Sequence, residues 1–276
     1  MAPSNRERDR ITIQPPLKSR LFEIIELSLA FFAHDARSAR RLMSQLQEPV
    51  LVVGAGQGLI VAEIRKKGIR CDGVDWSAEM VKFAKLRRGI DLIQAEGSAL
   101  PIADGAYATV IYATGVIDFM GDERAITAML REGRRVAKDS GKMLMAFYRQ
   151  SDALESFMAA VGLLKGNVVA VKESLELYLL SPVQVTAWAA KRTGRSSLGA
   201  AALMLRMLLS TTMQEKMLTF KMQKVFRRLD DPKLLLDAAP QSQPYRNETE
   251  IRRLFDRLKI PLQGLERFAS CYIARI

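Results

Sequence analysis

The chain has 276 residues, a formal charge of +12 from 42 Lys and Arg against 30 Asp and Glu, and a hydrophobic share of 49%. That apolar share excludes an extended disordered chain, the two cysteines Cys71 and Cys271 exclude a disulfide framework, and no run reaches the roughly 18–20 apolar residues of a spanning helix. The opening MAPSNRERDRITIQPPLKSR is charged and has no apolar signal core, so a soluble, cytoplasmic protein is expected.

Residues 1–49 read as a basic tail followed by a helical cap, because Leu21, Ile24, Ile25, Leu29 and Phe32 recur at helical spacing. From Val50 the pattern alternates. Short β-branched runs are expected as strands at VLVV, IRCDGVD, DLIQAE, YATVIYA and GKMLMAFY. Helices are predicted between them over 58–67, over 78–88 with Ser77 as N-cap, and over 122–139. Such alternation predicts a doubly wound, mostly parallel sheet with helices on both faces, over residues 50–150. The alternation stops after Tyr148, and residues 151–240 read as a helical insertion rich in Leu, Ala and Met. Residues 241–276 return to the α/β pattern, with a helix capped by Asn247 or Thr249 and two β-rich runs able to form a hairpin.

The stretch VLVVGAGQGLIVAEI runs from a buried strand over Gly54, Gly56 and Gly58 straight into a helical pattern. Glycines there permit a tight turn and close backbone approach to a ligand, and the helix start adds partial positive charge. The second strand ends at Asp75, 17 positions beyond Gly58, where a carboxylate can accept both hydroxyls of a ribose or serve as a helix N-terminal acid before Ser77. Leu59 occupies the third-glycine position of a dinucleotide GxGxxG fingerprint, so the pair points to a nucleoside and away from a dehydrogenase.

The blocks VLVVGAGQG, GVDWSAEMVKFAK, IQAEGSALPIADGAYATVIYATGVIDF and EGRRVAKDSGKMLMAFY together resemble the class I S-adenosylmethionine-dependent methyltransferases, in particular the small-molecule and quinone-methylating branch. The resemblance covers Val50 to Tyr148 and resumes near Tyr245. It implies a seven-stranded Rossmann-like sheet and S-adenosyl-L-methionine as cofactor. It also implies that Gly54, Ala55, Gly56 and Gly58 wrap the methionine and ribose, that Asp75 takes the ribose hydroxyls and that Trp76 packs on the adenine. Ser98 and Ala99 would meet the adenine edge, while Ala113, Thr114 and Gly115 border the methyl group. Two positions depart from the family pattern: Val52 replaces an acidic residue near the cofactor's amino group, and Ser98 replaces an Asp. Losing a charge-assisted hydrogen bond costs about 1.5–3 kcal/mol.

Methyl transfer needs a general base only when the acceptor must lose a proton. His34, in the N-terminal helices, reads either as that base or as a surface histidine beside Asp35. Asp118 reads as a base or as a helix N-terminal acid, and Tyr148 faces the acceptor by family geometry. No His, Cys or Asp cluster has metal-ligand spacing, so no metal is expected. By the same resemblance, the insertion forms a lid over a small, apolar or amphipathic acceptor. Its stripe Leu205, Leu209, Met213, Met217 and Phe220, flanked by Arg206, Lys221 and Lys224, packs internally, lines the acceptor pocket or touches an anionic membrane. Two other readings remain. One is a non-catalytic scaffold on the same fold. The other is a nucleic-acid methyltransferase, which the charge invites but for which no target-base motif is present.

Overall fold

The computed structural model describes residues 43–117, 120, 122–149, 152–166, 168–210, 223, 242–244, 246–267 and 271–276. The expected N-terminal helices, His34, Asp118, Met213, Met217, Phe220, Lys221 and Lys224 lie outside these residues. The chain divides into two compact units, one drawn from residues 25–150 and 246–276 and the other including residues 151–245.

In the α/β unit, β1 (Val50–Val53), α1 (Leu59–Arg65), β2 (Cys71–Asp75), α2 (Ala78–Arg88), β3 (Ile93–Gln94), β4 (Tyr107–Tyr112), α3 (Glu123–Val136) and β5 (Ala137–Tyr148) follow in order. The second unit contributes α4 (Asp152–Ala160), β6 (Leu164–Lys165), β7 (Val168–Ala170) and α5 (Val171–Glu176). After these come a short turn of 3-10 helix (Leu177–Leu179), α6 (Pro182–Thr193), α7 (Ser197–Ser210) and β8 (Ser242–Pro244). The α/β unit then resumes with α8 (Glu248–Leu258), β9 (Gly264–Arg267) and β10 (Cys271–Arg275).

Seven strands form one sheet in the order β3-β2-β1-β4-β5-β10-β9. The first five are parallel, and β10 runs antiparallel between β5 and β9. β1 is apolar throughout because both its faces are covered. Leu51 and Val53 pack with Tyr112, Met129, Ile251 and Phe255 on one side. Val50 and Val52 pack with Ile60, Val61, Ile64 and Ala84 on the other. Phe147 and Phe255 meet edge-to-face at 6.3 Å between ring centroids, joining β5 to a helix that follows the insertion.

Local chemistry sets the element ends. The Ser77 hydroxyl accepts from the Met80 amide, Asn247 Oδ1 accepts from the Glu250 amide at 3.0 Å, and Gly89 ends α2 at φ 64. Three expectations need correction. The helix predicted to run to 139 stops at Val136, because Ala137 is already extended and pairs with Tyr107 ahead of a register shift in β5. The third strand shrinks from 91–96 to Ile93–Gln94 at the sheet edge. The insertion is not wholly helical, since β6, β7 and β8 form an antiparallel sheet of their own.

Candidate functional site

In the register of the sheet, Val53 stands beside Val74 on one side and Tyr112 on the other. The loops after β1, β2, β3 and β4 therefore emerge along one edge, at the carboxyl ends of parallel strands. Strand order reverses between β1 and β4, which makes that edge the crevice where doubly wound sheets bind ligands.

Gly54, Gly56 and Gly58 all have left-handed φ, at 72, 56 and 79. At Gly54 close approach adds a second requirement: a Cβ there would lie 2.1 Å from Val116 Cγ2 in the loop after β4. The amides of Gly54 and Ala55 both donate to the Val74 carbonyl at 2.9 Å, holding the turn against β2. Val52, two residues before the turn, is buried in the apolar cluster beneath α1 and presents nothing to the crevice.

Asp75 ties the glycine loop to β2. Its Oδ2 accepts from the Gly56 amide at 2.8 Å and its Oδ1 from the Ser77 amide at 3.0 Å. The residue is 7% exposed, and burial raises its pKa against the opposing pull of these two bonds. Each oxygen keeps lone-pair capacity for a further donor. Trp76, the next residue, is 47% exposed, so a large aromatic face stands in solvent beside the loop.

Ser98 and Ala99 are exposed in a turn after β3, closed by the Ala99 amide donating to the Glu96 carbonyl at 3.0 Å. The turn is reached from β2 through the Ala95 amide, which donates to the Asp75 carbonyl at 3.1 Å. The Ala113 amide donates to the Val53 carbonyl at 3.0 Å, placing the loop after β4 against the glycine turn. Thr114 Oγ1 in that loop is buried and has no hydrogen-bond partner among the described residues. A buried orphan acceptor and donor at this position fits a bound polar ligand. Tyr148 ends β5 opposite Cys271. Its side chain, like His34 and Asp118, lies outside what the structure describes.

Two supports escape sequence reading. Arg246 Nη1 and Nη2 donate to the carbonyls of Ile117 (2.9 Å) and Met120 (3.0 Å), pinning the loop after β4. Arg135 donates to the carbonyls of Leu100 (3.1 Å) and Ile102 (2.8 Å), while Glu132 Oε1 accepts from the Leu100 amide at 2.8 Å. The Arg135 hydrogen bond is the main cause holding the Glu132 carboxyl below its ordinary pKa. Main-chain carbonyls are the acceptors in both clamps, so no residue-type pattern announces them. Arg149, just past β5, is also buried and lies 6.0 Å from the Tyr272 ring centroid. Among the described residues no group of three or more His, Cys, Asp or Glu is placed to hold a metal.

Residues 51–145 match the protein family described as "Methyltransferase domain". A demethylmenaquinone methyltransferase of Corynebacterium urealyticum is 34% identical over 113 residues, which cover 40% of this chain and 46% of that protein. The demethylmenaquinone methyltransferase of Renibacterium salmoninarum is 34% identical over 98 residues, covering 35% and 40%. The chain thus spans less than half the length of these curated relatives. A solved SAM-dependent methyltransferase from Aquifex aeolicus aligns with a TM-score of 0.48 at 13% identity, over 96% of this chain and 98% of that one. A Pyrococcus horikoshii OT3 protein aligns with a TM-score of 0.49 at 15% identity, over 90% and 93%.

Over residues 51–145 the chain is thus similar to a methyltransferase domain. Over about two fifths of its length it is also similar to demethylmenaquinone methyltransferases.

Proposed function

We propose that the chain transfers a methyl group from S-adenosylmethionine to a small apolar or amphipathic acceptor, of the demethylmenaquinone kind named in its curated relatives. The observation that carries this reading is the Asp75 carboxylate, bonded to the Gly56 amide at the carboxyl edge of β1 and β2. In this reading Asp75 accepts the ribose hydroxyls and Trp76 stacks on the adenine. Ser98 and Ala99 meet the adenine edge, and Ala113 and Thr114 border the methionine portion. When bound, the cofactor supplies a methyl group already activated on a sulfonium. The chain then has to align the acceptor in line with the leaving sulfur and keep water away. With Val52 facing the core, no β1 carboxylate serves the donor's amino group.

Calorimetric titration with S-adenosylmethionine and S-adenosylhomocysteine, with NAD as control, tests the donor half. Binding of both sulfur nucleosides that Asp75→Ala removes supports the reading. Absence of binding leaves the non-catalytic scaffold in its place. Transfer of labelled methyl to a demethylated quinol, against a catechol and a fatty acid as competitors, then tests the acceptor class.

A further inference from the structure

We propose that α7 rests on an anionic phospholipid surface through the face formed by Leu198, Leu205 and Leu209. The inference stands apart from the methyl-donor site, because it uses only residues of the helical unit.

α7 has 14 residues and a single charged one, Arg206. One face is accounted for: Ala200, Leu203, Met204 and Met207 pack with Phe157, Val161 and Ala189. The other face is just as apolar and no described residue covers it, with Leu198 82%, Leu205 55% and Leu209 73% exposed. At 3.6 residues per turn these three leucines fall within an arc of about 40°, a stripe and not a scatter. A helix apolar all round belongs in a core or against hydrocarbon, and one exposed to water on this face would carry polar residues there.

Charge selects the occupant. From Leu177 to Gln214 the sequence has Lys191, Arg192, Arg195 and Arg206 and no Asp or Glu. Arg192 is occupied by Glu173 at 2.8 Å and by the Trp188 ring at 5.7 Å. Lys191, Arg195 and Arg206 are exposed, and no ion pair engages them among the described residues. Exposed cations on the segment that carries the leucine stripe match anionic headgroups above hydrocarbon. A nucleic acid would match the charge but offers no hydrocarbon to three leucines.

The test is flotation of the full chain with phosphatidylcholine vesicles, with and without phosphatidylglycerol, at low and high salt. The expected result is binding only to the phosphatidylglycerol vesicles, released by salt. Arg206→Ala should weaken partitioning about fivefold, from roughly 1 kcal/mol per basic residue at such a surface. Leu205→Ser with Leu209→Ser should weaken it about tenfold or more, at unchanged thermal midpoint and unchanged S-adenosylhomocysteine binding. Failure to bind at low salt overturns the proposal. So does a fall in thermal midpoint in the double variant, which would mean that residues 211–241 cover the face. A dimer that the double variant dissociates would also overturn it, by assigning the stripe to a second copy of the chain.

Discussion

Asp75 Oδ2 stands 2.8 Å from the Gly56 amide, so the last residue of one strand fixes the turn that follows its neighbour. Asp75→Asn breaks that relationship, since an amide has one accepting oxygen to offer two N–H donors. A charge-assisted bond is worth about 1.5–3 kcal/mol, which predicts about 10- to 150-fold weaker S-adenosylhomocysteine binding. Calorimetry on a variant whose circular dichroism is unchanged checks this.

Acid should weaken donor binding before it unfolds the chain. Only the ionised Asp75 can accept from both amides and from a ribose. Burial raises its pKa, so affinity should fall at a pH above that expected for an ordinary carboxylate near 3.8. The stability sign is opposite. A raised folded-state pKa stabilises the fold below the unfolded value, and that contribution disappears as pH rises through the folded one. Titrations in descending pH steps, paired with thermal midpoints, should therefore show affinity lost while Asp75 itself adds no acid instability. Acid sensitivity unchanged in Asp75→Asn would refute the assignment.

Arg246→Ala should loosen the loop after β4, leaving the Ile117 and Met120 carbonyls without their guanidinium donors. The expected cost is about 1–3 kcal/mol, with weaker donor binding. Arg246→Lys should recover only part, because an ammonium lacks the planar fork. Equal donor affinity in all three proteins would limit Arg246 to a structural role.

Gly133→Ala should destabilise although alanine is the better helix former. The new Cβ would meet Tyr112 Oη at 1.8 Å, in a site where that hydroxyl also donates to the Met129 carbonyl at 2.8 Å. Overpacking of about 1–3 kcal/mol outweighs the roughly 1 kcal/mol gained in helix propensity. Chemical denaturation of Gly133→Ala, Tyr112→Phe and the double variant measures the coupling, and the double variant should recover part of the loss.

Native protein should be inert to thiol reagents near pH 8. Both cysteines are buried, and burial pushes the Cys71 thiol up to about 12. Two thiols per chain should react only after denaturant is added. Rapid labelling of the native chain would contradict the packing around β2 and β10.

The elements that sequence made legible are those where a local rule and the tertiary environment agree. Ser77 and Gly89 bound a helix by capping chemistry that works before any packing exists. The glycine turn was readable because its left-handed backbone demands glycine, and Asp75 because a carboxylate at the end of β2 can hold the Gly56 and Ser77 amides. The errors came where tertiary pairing decides. Ala137 has helical neighbours in sequence but a strand partner in space, Tyr107. Val168 to Ala170 find their partners at Ser242 to Pro244, far along the chain, and strands of two or three residues carry no period to detect. The Arg135 and Arg246 clamps were silent for a different reason, as any residue supplies a carbonyl.

Because β10 is paired to β5 and Phe255 is packed on Phe147, the α/β unit is discontinuous along the chain. On the ribosome, β1 to β5 would emerge with one sheet edge unpaired and with Phe147 uncovered until α8 and β10 arrive. The intervening segment delays closure in time far more than it opposes closure thermodynamically, since loop entropy grows only with the logarithm of length. During that interval the exposed strand edge is open to pairing with other nascent chains.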